Sequence, residues 1–187
     1  MKIQISHLPD LVEINEDIEL RAKSVDSYAA FAEVAKQNRD HLYDWLPWAK
    51  NTPDESSLEH YSSAPEKKQA NESCDWDIYD GDQLVGAIGL MARNEDPKVL
   101  EIGYWLAKDA VGKGIISQSV KKLVDLAFSE TEAIAIEIGC DKTNFRSAAV
   151  AKRCGFTLHH EAKREFPIGK GRLETDDGLF FWITRDE

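Results

Sequence analysis

Between Val99 and Ile138 the apolar residues change their spacing twice, and this restricts the fold more than any other feature of the chain. Val99 to Ala107 reads as a strand. Ile116, Val120, Leu123 and Ala127 then recur at i, i+4, i+7 and i+11, the stripe of an amphipathic helix. Ala133 to Ile138 is again an apolar run of strand length. Between the first strand and the helix lies Gly112-Lys113-Gly114, whose two glycines let the backbone turn sharply. Strand, turn, helix and strand make a parallel crossover, which needs a sheet with a helix packed on it.

The flanking segments extend this pattern. Ile18 to Ala22 alternates like a short strand, and Ser24 can cap a helix carrying Tyr28, Phe31, Val34 and Ala35. Leu42, Trp45 and Leu46 predict a second short helix, stopped by Pro47. Thr52-Pro53-Asp54-Glu55 predicts a third, with Thr52 as cap and Glu55 completing a capping box, and Pro65 interrupts it. Cys74 to Tyr79 and Gln83 to Met91 flank the hairpin signal Asp80-Gly81-Asp82, and Asn94-Glu95-Asp96-Pro97 is a second turn. Asn144 can cap a helix through Arg153, with Gly155 at its left-handed end. Phe156 to Ala162 and Leu179 to Thr184 read as closing strands. The expected fold is α/β (α+β): a mixed, mostly antiparallel central sheet, helices on both faces, and one parallel crossover.

The chain length of 187 residues fits one domain, taken as residues 1–187. Lys+Arg 23 against Asp+Glu 34 gives a net charge of −11. Such a surface repels phosphate backbones, which argues against direct nucleic-acid binding, and attracts cationic partners. No apolar run reaches the ~20 residues of a membrane span, and the first ten residues lack the apolar stretch of a secretory signal. Three cysteines without a Cys-x-x-Cys pair fit reduced thiols in a cytoplasmic protein, and the five histidines have no metal spacing, so no metal is expected. Adjacent His159 and His160 are expected on opposite sides of their strand.

The stretch that carries chemistry runs from Glu101 to Phe156. The Gly112-Lys113-Gly114 turn feeds a helix N-terminus, where orphan N–H groups and the macrodipole favour an anion, and Lys113 adds a positive charge. A diphosphate suits such a cradle. It is neither a Walker loop nor a dinucleotide fingerprint, and a turn of this composition also serves simply to reverse the chain.

Glu101-Ile102-Gly103-Tyr104-Trp105-Leu106, Gly112-Lys113-Gly114, Ala127-Phe128, Asn144-x-x-Ser147 and Gly155-Phe156 together resemble the acetyl-CoA-binding core of the GNAT N-acetyltransferase superfamily. Leu42-x-x-Trp45-Leu46-Pro47-Trp48 is similar to the RimJ/RimL branch, which acetylates N-terminal amines of ribosomal proteins. The likeness covers most of the chain from Ile18, with the acetyl-CoA-binding core at about 98–156. It implies acetyl-CoA as co-substrate. The implied cofactor-binding residues are Trp105 and Leu106 on the strand, then Val111, Gly112, Lys113, Gly114, Ile115 and Ile116, then Asn144 and Ser147 on the next helix. The family signature has Gln or Arg where this chain has Val111 and a small residue where it has Ile116. Backbone N–H donation needs neither side chain.

Acetyl transfer to an amine needs a neutral amine, a donor for the developing oxyanion and help for the departing thiolate. Glu101 is the first candidate for the base, acting through water, since some enzymes of the superfamily use a glutamate on that strand; an ordinary ion pair is the alternative. Glu165 lines up with a glutamate proposed as base in RimL-like enzymes, although neighbouring charges make a surface pairing the plainer reading. Ser147 resembles the branch's serine that hydrogen-bonds the CoA sulfur, and Asn144 the residue that holds the pantetheine amide; helix-start bonding is the other reading of both. Trp45 and Trp48 either join the core or wall the acceptor groove. Cys140 reads as a small buried residue. The resemblance thus implies direct transfer to the N-terminal α-amine of a basic protein. A small amine (polyamine, aminoglycoside or amino acid) and a non-catalytic CoA-binding module are the other readings, and a homodimer is left open.

Overall fold

The alternating segments assemble into one eight-stranded sheet in the computed structural model, which describes residues 3–93, 98–164, 167–168, 172–173 and 176–185. Strands β1 (Leu11–Glu13), β2 (Ile18–Ala22), β3 (Ser73–Asp80), β4 (Gln83–Ala92) and β5 (Val99–Leu106) form an antiparallel run in chain order. Strand β6 (Ala135–Asp141) lies parallel to β5 and closes the expected crossover. Next come β7 (Thr157–Arg164), a separate two-stranded pair of β8 (Pro167–Ile168) and β9 (Arg172–Leu173), and β10 (Asp176–Thr184). The sheet order is β1-β2-β3-β4-β5-β6-β10-β7, so the last strand inserts between β6 and β7.

Helices cover both faces. Helices α1 (Tyr28–Gln37), α2 (Arg39–Tyr43), α3 (Glu55–Ser62) and α4 (Ala64–Gln69) precede β3, and α5 (Ile115–Glu130) and α6 (Phe145–Arg153) flank β6 in sequence. The larger core packs Ile115, Val120, Leu123 and Ala151 of α5 and α6 with Trp76, Ile88, Leu100 and Ile136 of the sheet. The smaller joins Phe31, Leu42 and Tyr61 to Leu84, Ala87 and Trp105 on the other face. Buried Asp77 ties these helices to β3: its carboxylate accepts from Tyr61 Oη at 2.8 Å and Ser27 Oγ at 2.6 Å. Burial pushes its carboxyl above the usual range, against the opposing pull of Lys23 and of the two hydroxyl donors. No helix among the described residues is long and apolar enough to cross a membrane.

Several local expectations change. Asp54, not Thr52, caps α3: it accepts from the Ser57 N–H, and Ser57 Oγ, not Glu55, completes the box by accepting from the Asp54 N–H. The Thr52 hydroxyl is already used, donating to the Trp48 carbonyl at 2.7 Å. Helix α2 ends at Tyr43, leaving Trp45 and Leu46 in the connection that follows. Pro65 does separate two helices, standing in the first turn of α4. His159 and His160 share a face, because the register against β10 slips by one residue there and His159 is the bulged position. Their Nδ1 atoms are 2.9 Å apart, and each ring stacks on an aromatic of β10, Trp182 and Phe180 respectively.

The spacing of β4 and β5 sets where Trp105 stands. A Cβ on buried Gly86 would lie 2.4 Å from the Trp105 carbonyl oxygen, a backbone atom that cannot swing aside. Gly86→Ala is therefore expected to cost about 1–3 kcal/mol, read as a lower denaturant midpoint. An unchanged midpoint would mean that the two strands separate freely.

Candidate active site

Strands β5 and β6 are hydrogen-bonded for three rungs only, in which Val99, Leu100 and Glu101 pair with Ala135, Ile136 and Glu137. Beyond them β5 continues along β4 to Leu106, and β6 continues along β10 to Asp141. The edges that the two strands turn toward each other thus lose their strand partners, and backbone polar groups left this way need another partner. A cleft of about 630 Å³ lies here, of the size of a small-molecule site. Its walls are Tyr104, Trp105 and Leu106 of β5, the start of α5, one side of α6, and Leu42 of α2 with Trp45 and Leu46 from the connection after it.

The glycine turn opens onto this cleft. Gly112 (φ 89°) and Gly114 (φ 79°) both occupy the left-handed region. A Cβ on Gly112 would meet nothing within 4 Å, so that glycine serves conformation and not space. Gly114 caps α5 and has no side chain to bond the first-turn N–H groups, which remain available to an anion. Val111, Gly112, Gly114, Ile115 and Ile116 line the cleft, and Ile116 is buried in the core, which absorbs its bulk. Lys113 is not among the lining residues; its Nζ is 3.4 Å from Asp80.

Opposite the turn, α6 presents Asn144 and Ser147. The Asn144 side chain accepts from the Ser147 N–H at 3.1 Å, which makes it the helix cap. Ser147 Oγ lies 2.8 Å from Tyr104 Oη, across the gap between α6 and β5. Burial pushes the Tyr104 phenol well above its ordinary value, while the contact with Ser147 pulls the other way. The charge distribution is uneven. In a chain of net charge −11, neither residues 110–124 nor residues 142–160 contain an acid, yet they carry Lys113, Lys121, Lys122, Lys142, Arg146, Lys152 and Arg153. Arg146 and Arg153 line the cleft, with Phe145, 77% exposed, beside them.

The remaining candidates fall in different places. Trp45 lines the cleft, whereas Trp48 stands behind it, packed edge-on against Trp105 at 5.9 Å. Glu101 is half-buried in the last paired rung, on the face opposite Tyr104, with an oxygen 4.0 Å from Arg93. It does not line the cleft. Arg93 also pairs with buried Glu137, which accepts a further bond from Trp182 Nε1 at 2.6 Å. Cys140 is buried. Glu165 lies outside the described residues. Sequence reasoning missed Tyr104 and Arg153. Alternation along β5 could have put Tyr104 on the α5 face, but its contact with a residue 43 positions away has no local signal. Among the described residues, no cluster of three or more His, Cys, Asp or Glu side chains is placed to hold a metal ion.

Comparison with known proteins agrees with this geometry. Residues 17–157 match the acetyltransferase (GNAT) domain family. The chain is 32% identical to a Bacillus subtilis (strain 168) protein named as a ribosomal N-acetyltransferase, YdaF, over 81% of this chain and 84% of that protein. It is 26% identical to the ribosomal-protein-serine acetyltransferase of Escherichia coli (strain K12), over 81% and 85%. Among solved structures, the ribosomal L7/L12 alpha-N-protein acetyltransferase RimL in complex with coenzyme A superposes with a TM-score of 0.85 at 24% identity, covering 94% of this chain and 98% of that one.

The Asn144 cap fixes where Ser147 stands. Asn144→Ala is expected to lower stability by about 1 kcal/mol, and Asn144→Ser to restore most of it. Equal melting of all three proteins would show that the cap contributes nothing.

Proposed function

The chain belongs to the acetyltransferase (GNAT) domain family, and on that premise we propose that this N-acetyltransferase moves the acetyl group of acetyl-CoA to the N-terminal α-amine of a protein, of the kind its ribosomal-protein relatives modify. The observation that carries the reading is the start of α5: first-turn N–H groups with no side-chain cap, opening on a cleft bordered by the two acid-free stretches 110–124 and 142–160. Such a place suits the pyrophosphate of coenzyme A. Arg146, Arg153 and the exposed Phe145 ring suit the charged, aromatic remainder of the same molecule. The unpaired edges of β5 and β6 suit an amide-bearing arm threaded between them. Acetyl-CoA supplies an activated acyl group; the protein supplies its grip and the environment of the reacting atoms.

The roles proposed for the side chains are these. Ser147, inside the cleft and held by its cap, donates a hydrogen bond to the departing sulfur. Glu101, at the closed end of the strand opening and on the opposite sheet face, takes the amine proton through water. An α-amine has a reference pKa near 8 and a lysine amine near 10.4, so at neutral pH an α-amine is about 3 kcal/mol easier to present in neutral form. The acidic surface away from the cleft draws in a basic protein start. Residues 1–187 act as one catalytic unit, in the cytoplasm, where three free cysteines stay reduced.

Acetyl transfer should be detected with short basic peptides bearing a free N-terminus, and should be lost when that terminus is blocked even if lysines remain. Turnover of spermidine with none of the peptides would overturn the acceptor assignment. Glu101→Gln should lower kcat by about 10²-fold and flatten the acid limb of the pH–rate profile. A variant with unchanged rate and profile would remove Glu101 from the mechanism.

A further inference from the structure

Resting on the acetyl-CoA reading above, we infer that Tyr104 is a positioning residue: its hydroxyl donates to Ser147 Oγ and so aims the serine's own O–H into the cleft, at the sulfur of coenzyme A. Tyr104 reaches Ser147 Oγ at 2.8 Å and the Ser147 carbonyl only at 3.4 Å. Both residues line the cleft, one from β5 and the other from α6, where the two strands have parted.

Several other serines in helical surroundings use their hydroxyl differently. Ser57, Ser62 and Ser129 each turn it back to the carbonyl three residues earlier. That is the ordinary fate of a serine in helical surroundings. Among the described residues no such bond is found for Ser147, whose hydroxyl faces Tyr104 instead. Asn144 occupies only the Ser147 backbone N–H and leaves the hydroxyl to the tyrosine.

A serine oxygen that accepts one bond still has its own proton to give. With Tyr104 as donor, the chain runs O–H to O–H to sulfur, and each bond polarises the next. Burial keeps the Tyr104 phenol protonated through the neutral range, so the first donor is always present. In the transfer the amine nitrogen bonds to the acetyl carbon, the carbon–sulfur bond breaks, and its electron pair stays on sulfur. Tyr104 and Ser147 keep their protons throughout. The proton lost by the amine restores the thiol through solvent.

Coenzyme A alone tests this, by the ultraviolet absorbance of its thiolate during a pH titration of the complex. Bound to the wild-type protein, the thiol should ionise about one pH unit or more below the free thiol. Ser147→Ala should abolish that shift. Tyr104→Phe keeps the ring and should bind coenzyme A yet lose most of the shift, and the double variant should match Ser147→Ala. In acetyl transfer Tyr104→Phe should lower kcat about tenfold with KM for acetyl-CoA unchanged. Should Tyr104→Phe melt early, fluorotyrosine at position 104, a stronger donor of the same shape, should lower the bound thiol's pKa further. A Tyr104→Phe complex with the wild-type thiol pKa overturns the inference, as does an additive loss in the double variant. Coenzyme A bound with an unshifted thiol overturns it while leaving the acetyl-CoA reading intact; no binding at all overturns both.

Discussion

A parallel ladder that stops after three rungs is the constraint on which the rest depends. Each strand is committed on its far side, β5 to β4 and β6 to β10, so neither can move across to close the gap. At the closed end Arg93 pairs with buried Glu137, and Trp182 donates to the same carboxylate. At the open end Tyr104 spans the gap to Ser147. Between these two ties the sheet carries an opening whose backbone groups must be met by something other than a strand. The glycine turn, the start of α5 with no side-chain cap bond and the Asn144 cap all stand around that opening.

Much of this was legible in the chain. The period change fixes the β5–α5–β6 unit, because a stripe at helical spacing cannot be buried by a strand. Gly112, Gly114 and Gly155 all have positive φ, as the turn and the helix end demand. Asn144 caps α6 as its placement suggested. The long-range order was not legible. Nothing local tells β10 to insert between β6 and β7, since that depends on which edge its apolar face finds. The bulge at His159 arises from the same pairing and reverses the expectation that two adjacent histidines diverge.

The site was legible in part for a related reason. Backbone roles such as those of Gly112 and Gly114 follow from local sequence. Side-chain roles depend on a partner: Lys113 could aid an anion, but Asp80 on β3 stands beside it. Trp45 and Trp48 looked alike in the sequence, yet one borders the cleft and the other supports Trp105 from behind. Glu101 has Arg93 as its neighbour, a partner that the strand's own sequence does not reveal. Charge tells a similar story. The total of −11 describes the surface as a whole and hides the two acid-free stretches that border the cleft. An acidic exterior and a basic cleft let one molecule attract a cationic acceptor and an anionic donor to different places.

The most direct test of the central claim is a crystal structure of the protein grown with coenzyme A. The account predicts pyrophosphate oxygens on the N–H groups that follow Gly112 and Gly114, and the pantetheine arm between β5 and β6 with its sulfur near Ser147. Coenzyme A bound elsewhere, or an opening filled by the protein's own side chains with no ligand between the strands, would contradict it.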